Sequence, residues 1–292
     1  MTTTASVPPG GLTPAPADLP ATVRTIPLET PRRRRSRAHR VPGGVRRLTG
    51  IVLVLVVWEL LSVTGVLPAN VIGSPVDVVR AAGHLIADGE LGSAVGVSLV
   101  RVAEGAAVGL VVGIGLALVT GLSRIGEDVV DAPVQMLRTI PFAGIIPLLI
   151  IWFGVGETPK VVLIALGVTF PVYVNLSGGI RSVDPGLLEA GRSLGLSRWQ
   201  LVRHVVLPGA LPQLLVGLRL ALGISWLALV FAEQISATNG LGYLMMTAQE
   251  LLQTDTIVVC LVVYALLGLT VDLVVRGLER SLLSWRPRAV GA

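Results

Sequence analysis

The sequence predicts an all-α, polytopic membrane protein with six transmembrane helices, and three observations predict it. Hydrophobic residues make up 52% of the 292 residues and charged residues 14%, where soluble chains carry about 25% charge. Mean hydropathy is +0.79. The apolar residues fall in continuous runs near the ~20-residue length a bilayer demands. They do not alternate as barrel strands do. An ordinary soluble enzyme and a disordered scaffold are excluded on the same grounds.

Residues 1–44 read as a separate arm. Eight of the 19 prolines lie there with the basic run Arg32-Arg33-Arg34-Arg35-Ser36-Arg37. Such a composition buries no core, so a disordered cytoplasmic arm near anionic lipid is expected. Residues 45–286 form the transmembrane domain, and 287–292 a tail.

The first apolar run, 48–67, is interrupted only by Glu59. Ser74-Pro75-Val76-Asp77 then starts a helix, with Pro in the first turn, and predicts a short interfacial helix to Ile86. The second run, 95–119, carries Arg101 and Glu104, three apart on one face and able to pair with each other. Its Gly105, Gly109 and Gly113 form a double GxxxG, expected to pack against a neighbouring helix.

The third run, 130–153, contains Arg138, Pro141 and Pro147, and the fourth, 161–180, contains Pro171. These prolines read as hinges or as static kinks. The fifth run, 210–233, carries Arg219. The sixth, 256–275, has Asp272 near its end. Residues 236–254 read as an external stretch turning at Gly240-Leu241-Gly242. Neither this stretch nor 68–93 is large enough to be a ligand-binding domain.

Of 23 basic residues, 22 are Arg and one is Lys160. With the arm inside, eighteen fall on that side, and only Arg80 and Lys160 on the other. The asymmetry places both termini in the cytoplasm of a multi-pass membrane protein. Nucleic-acid binding is not expected, because aromatic residues are only 4%. Cys260 is the only cysteine and lies in an apolar run. The three histidines are scattered, so no metal site is expected.

The loop 181–209 is the most informative segment. Asp184-Pro185 opens a helix as N-cap and N1 proline, and Leu187, Leu188, Ala190, Leu194 and Leu201 follow at helical spacing. Pro208 is expected to stop the chain before the fifth span. An amphipathic helix here suits either docking onto a cytoplasmic partner or resting on lipid.

Glu189-Ala190-Gly191, three residues, Gly195, nine residues, Val205, one residue, Leu207-Pro208 resembles the EAA loop of ABC-importer permeases. Gly191 and Val205 replace the pattern's Ala and Ile. The resemblance extends over 48–286, through Arg138-Thr139-Ile140-Pro141, Trp152-Phe153-Gly154-Val155-Gly156-Glu157 and Ala232-Glu233-Gln234-Ile235-Ser236-Ala237. It is to the nitrate/sulfonate/taurine branch, most of all to aliphatic-sulfonate permeases.

This resemblance implies a type I importer permease fold, with the 181–209 loop as coupling helix. Glu189, Ala190, Gly191, Gly195, Leu207 and Pro208 would dock a cytoplasmic ABC ATPase dimer. An extracytoplasmic solute-binding protein and a second permease copy, expected to be identical, would complete the assembly. ATP would be used by the partner. This chain has no GxxxxGK[ST] loop, so no cofactor and no catalysis of its own are expected.

Arg138 and Arg219 are charges inside spans, where they normally face protein or water. The two arginines, together with Glu233, read as pathway residues for an anion, or the arginines read as structural pairs of Glu59, Glu233 or Asp272. Within the same permease role, taurine or nitrate is the alternative solute. A stand-alone carrier or channel is the alternative class, but no internal repeat supports it. An intramembrane enzyme would need a base near Ser177 or Ser225, and none is evident.

Overall fold

In the computed structural model, residues 43–68 and 72–283 are described. All but the last two residues of the expected 1–44 arm, and the whole 287–292 tail, lie outside them. The chain divides into two compact units, residues 1–50 and 51–292. Of the first, only the opening turns of α1 are described.

The described residues form eleven α-helices and no strand. They are α1 (Gly43–Val63), α2 (Pro75–Ala87), α3 (Glu90–Leu122), α4 (Arg124–Leu137), α5 (Phe142–Phe153), α6 (Glu157–Arg181), α7 (Pro185–Ser193), α8 (Arg198–Leu201), α9 (Leu207–Ser236), α10 (Leu241–Glu250) and α11 (Thr254–Leu282). A π-helical turn, Val202–Val206, joins α8 to α9.

Four helices are long and apolar enough to cross a membrane: Glu90–Leu122, Glu157–Arg181, the continuous Arg198–Ile235 and Thr254–Leu282. These match the second, fourth, fifth and sixth expected runs. The first and third correspond to shorter apolar helices, Val52–Val63 and Ala143–Phe153. The third run breaks at 138–141. Pro141 adopts an extended conformation (φ −67°, ψ 137°) at the N-cap of α5. It offers no N–H to α4 and disfavours helix at Ile140. Pro147, Pro171 and Pro212 sit inside their helices.

Pro208 does not stop the chain. At the π-turn the Leu207 N–H reaches the Val202 carbonyl, five residues back. The helix therefore continues through Leu207-Pro208 into α9. One extra residue in the turn is a usual way for a helix to absorb a local conflict.

The core is built where α3, α6 and α9 cross. A Cβ at Gly105 would lie 2.5 Å from Ile164 Cγ2, one at Gly109 2.5 Å from the Ala165 carbonyl, and one at Gly113 2.9 Å from the Thr169 carbonyl. The glycines thus bring the α3 and α6 backbones together, as the GxxxG spacing predicts. Gly109→Val should push against a carbonyl that cannot move without its helix. The expected cost is about 1–3 kcal/mol, measured as a lowered thermal midpoint of the purified protein. An unchanged midpoint would show that this crossing yields.

Where α9 meets α6, a Cβ at Gly217 would meet Asn175 Cβ at 2.8 Å and the Pro171 carbonyl at 3.0 Å. Val102, Leu163, Ile164, Trp226 and Leu229 fill one layer of the core, and Tyr173, Leu176, Ile180 and Ala210 another. Val111, Ile151 and Leu273 stay exposed. Apolar faces of this kind are what lipid or a membrane partner covers.

The short α2 forms as its sequence predicts. The Ser74 hydroxyl accepts from Asp77 N–H at 3.1 Å, and Ser74 O–H donates to the Asp77 carboxylate at 2.7 Å. The Ser74 hydroxyl, its backbone N–H and Arg80 hold Asp77 below the usual carboxylate range. Val78 packs with Leu91, Ala94, Leu241 and Val259, which ties α2 to α3, α10 and α11. The expected external stretch 236–254 contains a helix of its own, α10.

Candidate functional site

At the end of the bundle where α3 and α6 finish, α7 and α8 lie across the helices. Asp184 Oδ1 accepts from Gly186 N–H at 2.8 Å and caps α7. Ser197 and Gln200 form a reciprocal capping box at α8. Between them Gly195 has φ +79°, a left-handed conformation that favours glycine. The chain can therefore reverse within three residues of α7.

Gly191 is buried, and a Cβ there would lie 2.6 Å from Leu201 Cδ1 and 3.3 Å from Leu196 Cδ1. That close approach is the physical reason for glycine where the EAA pattern has alanine. With Gly191 facing inward, Glu189 and Ala190 face outward and are exposed. The Glu189 side chain has no hydrogen bond or ion pair among the described residues. Leu187, Leu194 and Trp199 of the same segment are exposed too, the last two 82% and 69%. Leu207 is half-buried and Pro208 exposed, one turn into the helix that carries the motif onward.

A buried charge network ties the other end of the bundle. Arg101 is 2% exposed and Glu233 0%. Arg101 Nη1 donates to Glu233 Oε1 at 2.7 Å and to the Asn239 carbonyl at 2.8 Å. Its Nε and Nη2 fork onto the Glu157 carboxylate at 2.5 and 2.7 Å. The second Glu233 oxygen accepts from Gly242 N–H at 2.7 Å, and Ser98 O–H donates to the first at 2.8 Å. Lys160 completes the set, 2.9 Å from Glu157.

The expected Arg101–Glu104 pairing is therefore not made. Glu104 points to the exposed side of α3, while Arg101 joins α3 to α6, α9 and the 237–240 turn. Sequence reading missed this hub because its partners lie 56 and 132 residues away. The usable signal was Gly240. A Cβ there would sit 2.6 Å from Arg101 Nη1 and collide with the Glu233 carboxylate.

Arg219, on α9, pairs with α11. Its Nη2 donates to Glu279 Oε2 at 2.7 Å, and Nε lies 3.4 Å from Asp272 Oδ1. Among the described residues Glu59 pairs with neither arginine, and its buried Oε2 has no hydrogen-bond partner.

Arg138 is placed differently. It caps the C-terminus of α4, and its side chain has no hydrogen bond or ion pair among the described residues. It lines a cleft of about 500 Å³ between the end of α4, α6 and α9. On the α6 side the wall is Gly167, Phe170, Pro171, Val174 and Asn175. On the α9 side it is Leu220, Ile224 and Leu227.

Residues 109–284 match the family described as the binding-protein-dependent transport system inner membrane component. The chain belongs to this family. A protein of Escherichia coli (strain K12) named as an aliphatic sulfonates transport permease, SsuC, is 48% identical over 234 residues, covering 80% of this chain and 89% of that one. Its namesake in Bacillus subtilis (strain 168) is 40% identical over 84% of this chain and 88% of that one. In fold, the chain is similar to the crystal structure of an amino acid ABC transporter with histidines. That likeness has a TM-score of 0.58 at 20% identity and covers 68% of this chain and 97% of that chain. As a component of a binding-protein-dependent transport system, the chain is part of a transporter and not a catalyst.

Proposed function

We propose that this chain is the permease subunit of an ATP-driven ABC importer that carries an aliphatic sulfonate delivered by an extracytoplasmic binding protein. The single observation that carries the reading is the α7 face. Glu189 and Ala190 stand exposed in the same segment as exposed Leu187, Leu194 and Trp199, at the EAA spacing, in a chain of this family. Two such chains, taken as identical, would form the pathway, each docking one subunit of a cytoplasmic ATPase dimer.

In this reading α1 and the broken α4–α5 pair supply two further crossings, for six in all, with both termini cytoplasmic. The arginine excess on the α7 side supports that orientation. Closure of the ATPase dimer on ATP pushes α7 and α8. Because α8 runs without interruption into α9, the push reaches the core crossing of α6 and α9. Arg219 and Glu233 hold the helices together through their ion pairs, and Arg138 faces the pathway.

Uptake of labelled alkanesulfonate, taurine and nitrate, in starved cells with and without the chain, tests the proposal. Loss of alkanesulfonate uptake alone is the expected result. Loss of taurine or nitrate uptake instead would keep the transport role and change the solute. Unchanged uptake of all three would overturn the assignment.

A further inference from the structure

We infer that the cleft beside Arg138 is a substrate site in the membrane domain itself, and that it selects a singly charged anionic head joined to a short aliphatic chain. The inference rests on the importer reading above and deepens it.

Three observations support it. Among the described residues Arg138 is the only charged one lining the cleft, and two carboxylates of α4 are used elsewhere. Asp131 accepts from Tyr173 O–H at 2.5 Å, and Glu127 pairs with Arg181 at 2.6 Å. The Arg138 side chain is exposed, and a guanidinium presents a planar fork suited to an oxyanion.

The wall opposite is apolar: Phe170, Val174, Leu220, Ile224 and Leu227. A bare inorganic anion would leave that wall without a partner, whereas an alkyl chain would remove it from water. The volume, about 500 Å³, is within the range of small-molecule sites.

The polar remainder is sparse. Asn175 is held by a bond from its Nδ2 to the Pro171 carbonyl at 2.8 Å, and Pro171 has no N–H to give the Gly167 carbonyl four residues back. One cation with so few hydrogen-bonding groups suits neither a dianion nor a sugar.

The cleft lies between α6 and α9, and in the importer reading α9 is the helix that the α7–α8 segment drives. A shift of α9 against α6 changes the distance between Leu220 and Phe170 and so opens or closes the site.

The consequence is selection independent of the binding protein. Binding of labelled hexanesulfonate to the purified permease–ATPase complex, without binding protein, tests it by equilibrium dialysis. Hexanesulfonate should bind, methanesulfonate should compete more weakly, and nitrate should not compete. Arg138→Gln should weaken binding by about tenfold or more, and Arg138→Lys by less. Leu220→Trp should exclude hexanesulfonate and spare methanesulfonate. Co-purification of the ATPase and an unchanged thermal midpoint show that each variant is folded and assembled.

Unchanged hexanesulfonate binding in Arg138→Gln would overturn the site, as would equal competition by nitrate. Neither result would touch the importer reading, which stands or falls on cellular uptake.

Discussion

Replacing Arg101 by methionine should be the most destabilising single change among the charged residues, by about 3–5 kcal/mol. Two carboxylates lose their partner, but the loss is unequal. Glu157 is 59% exposed at its side chain and keeps Lys160 at 2.9 Å, so water and the ammonium can serve it. Glu233 has neither recourse. Fully buried, it would keep only the Ser98 hydroxyl and the Gly242 N–H. A buried carboxylate without a cation is what makes breaking such a pair expensive.

The companion Arg101→Met/Glu233→Gln variant should recover a good part of the loss, because it removes the orphaned charge as well as the pair. Arg101→Lys should recover little, since a single ammonium cannot fork onto Glu157 while reaching Glu233 and Asn239. Thermal midpoints of the purified protein in detergent give all three comparisons. A single variant within about 1 kcal/mol of the parent would mean that the hub does not hold the helices.

Glu189→Arg should abolish uptake without unfolding the protein. The position is exposed and unpaired among the described residues, so a change of charge there costs the fold within about 0.5 kcal/mol. Any basic group on the docking partner, however, would meet a like charge in place of its counterion. The measurements are uptake, amount of inserted protein, and co-purification of the ATPase. Normal insertion with lost uptake and lost co-purification is the expected pattern. Undiminished uptake would show that this face of α7 docks nothing.

The long spans were legible because hydropathy is a local property, and α3, α6, α9 and α11 carry it without interruption. The N-caps at Ser74 and Asp184 were legible for the same reason, since the residues that make them are neighbours. The glycines of α3 could be read as a packing stripe, although not which helix they met.

What escaped was non-local or geometric. Arg101 was assigned to Glu104 on spacing along one helix, whereas the network gathers groups from α6, α9 and the turn before α10. The third run looked continuous in composition, yet Pro141 divides it, which matters because the division leaves Arg138 at a helix end over a cleft. Pro208 looked like a stop because proline lacks a donor. A π-turn leaves no trace in hydropathy and let the helix run on.

That turn also fixes an angular relation. Arg198 to Ile235 is one helix of 38 residues, about 57 Å at 1.5 Å per residue, without a joint between the α8 end and the membrane core. A π-turn amounts to one residue inserted into an α-helix, and one residue is about 100° of rotation. The phase between the exposed α8 surface and the α9 side chains that line the cleft is therefore set by a single residue of the Val202–Val206 segment. Shortening that segment by one would aim Leu220 where Arg219 now points and Arg219 where Leu218 now points, like a key cut correctly and turned a quarter out.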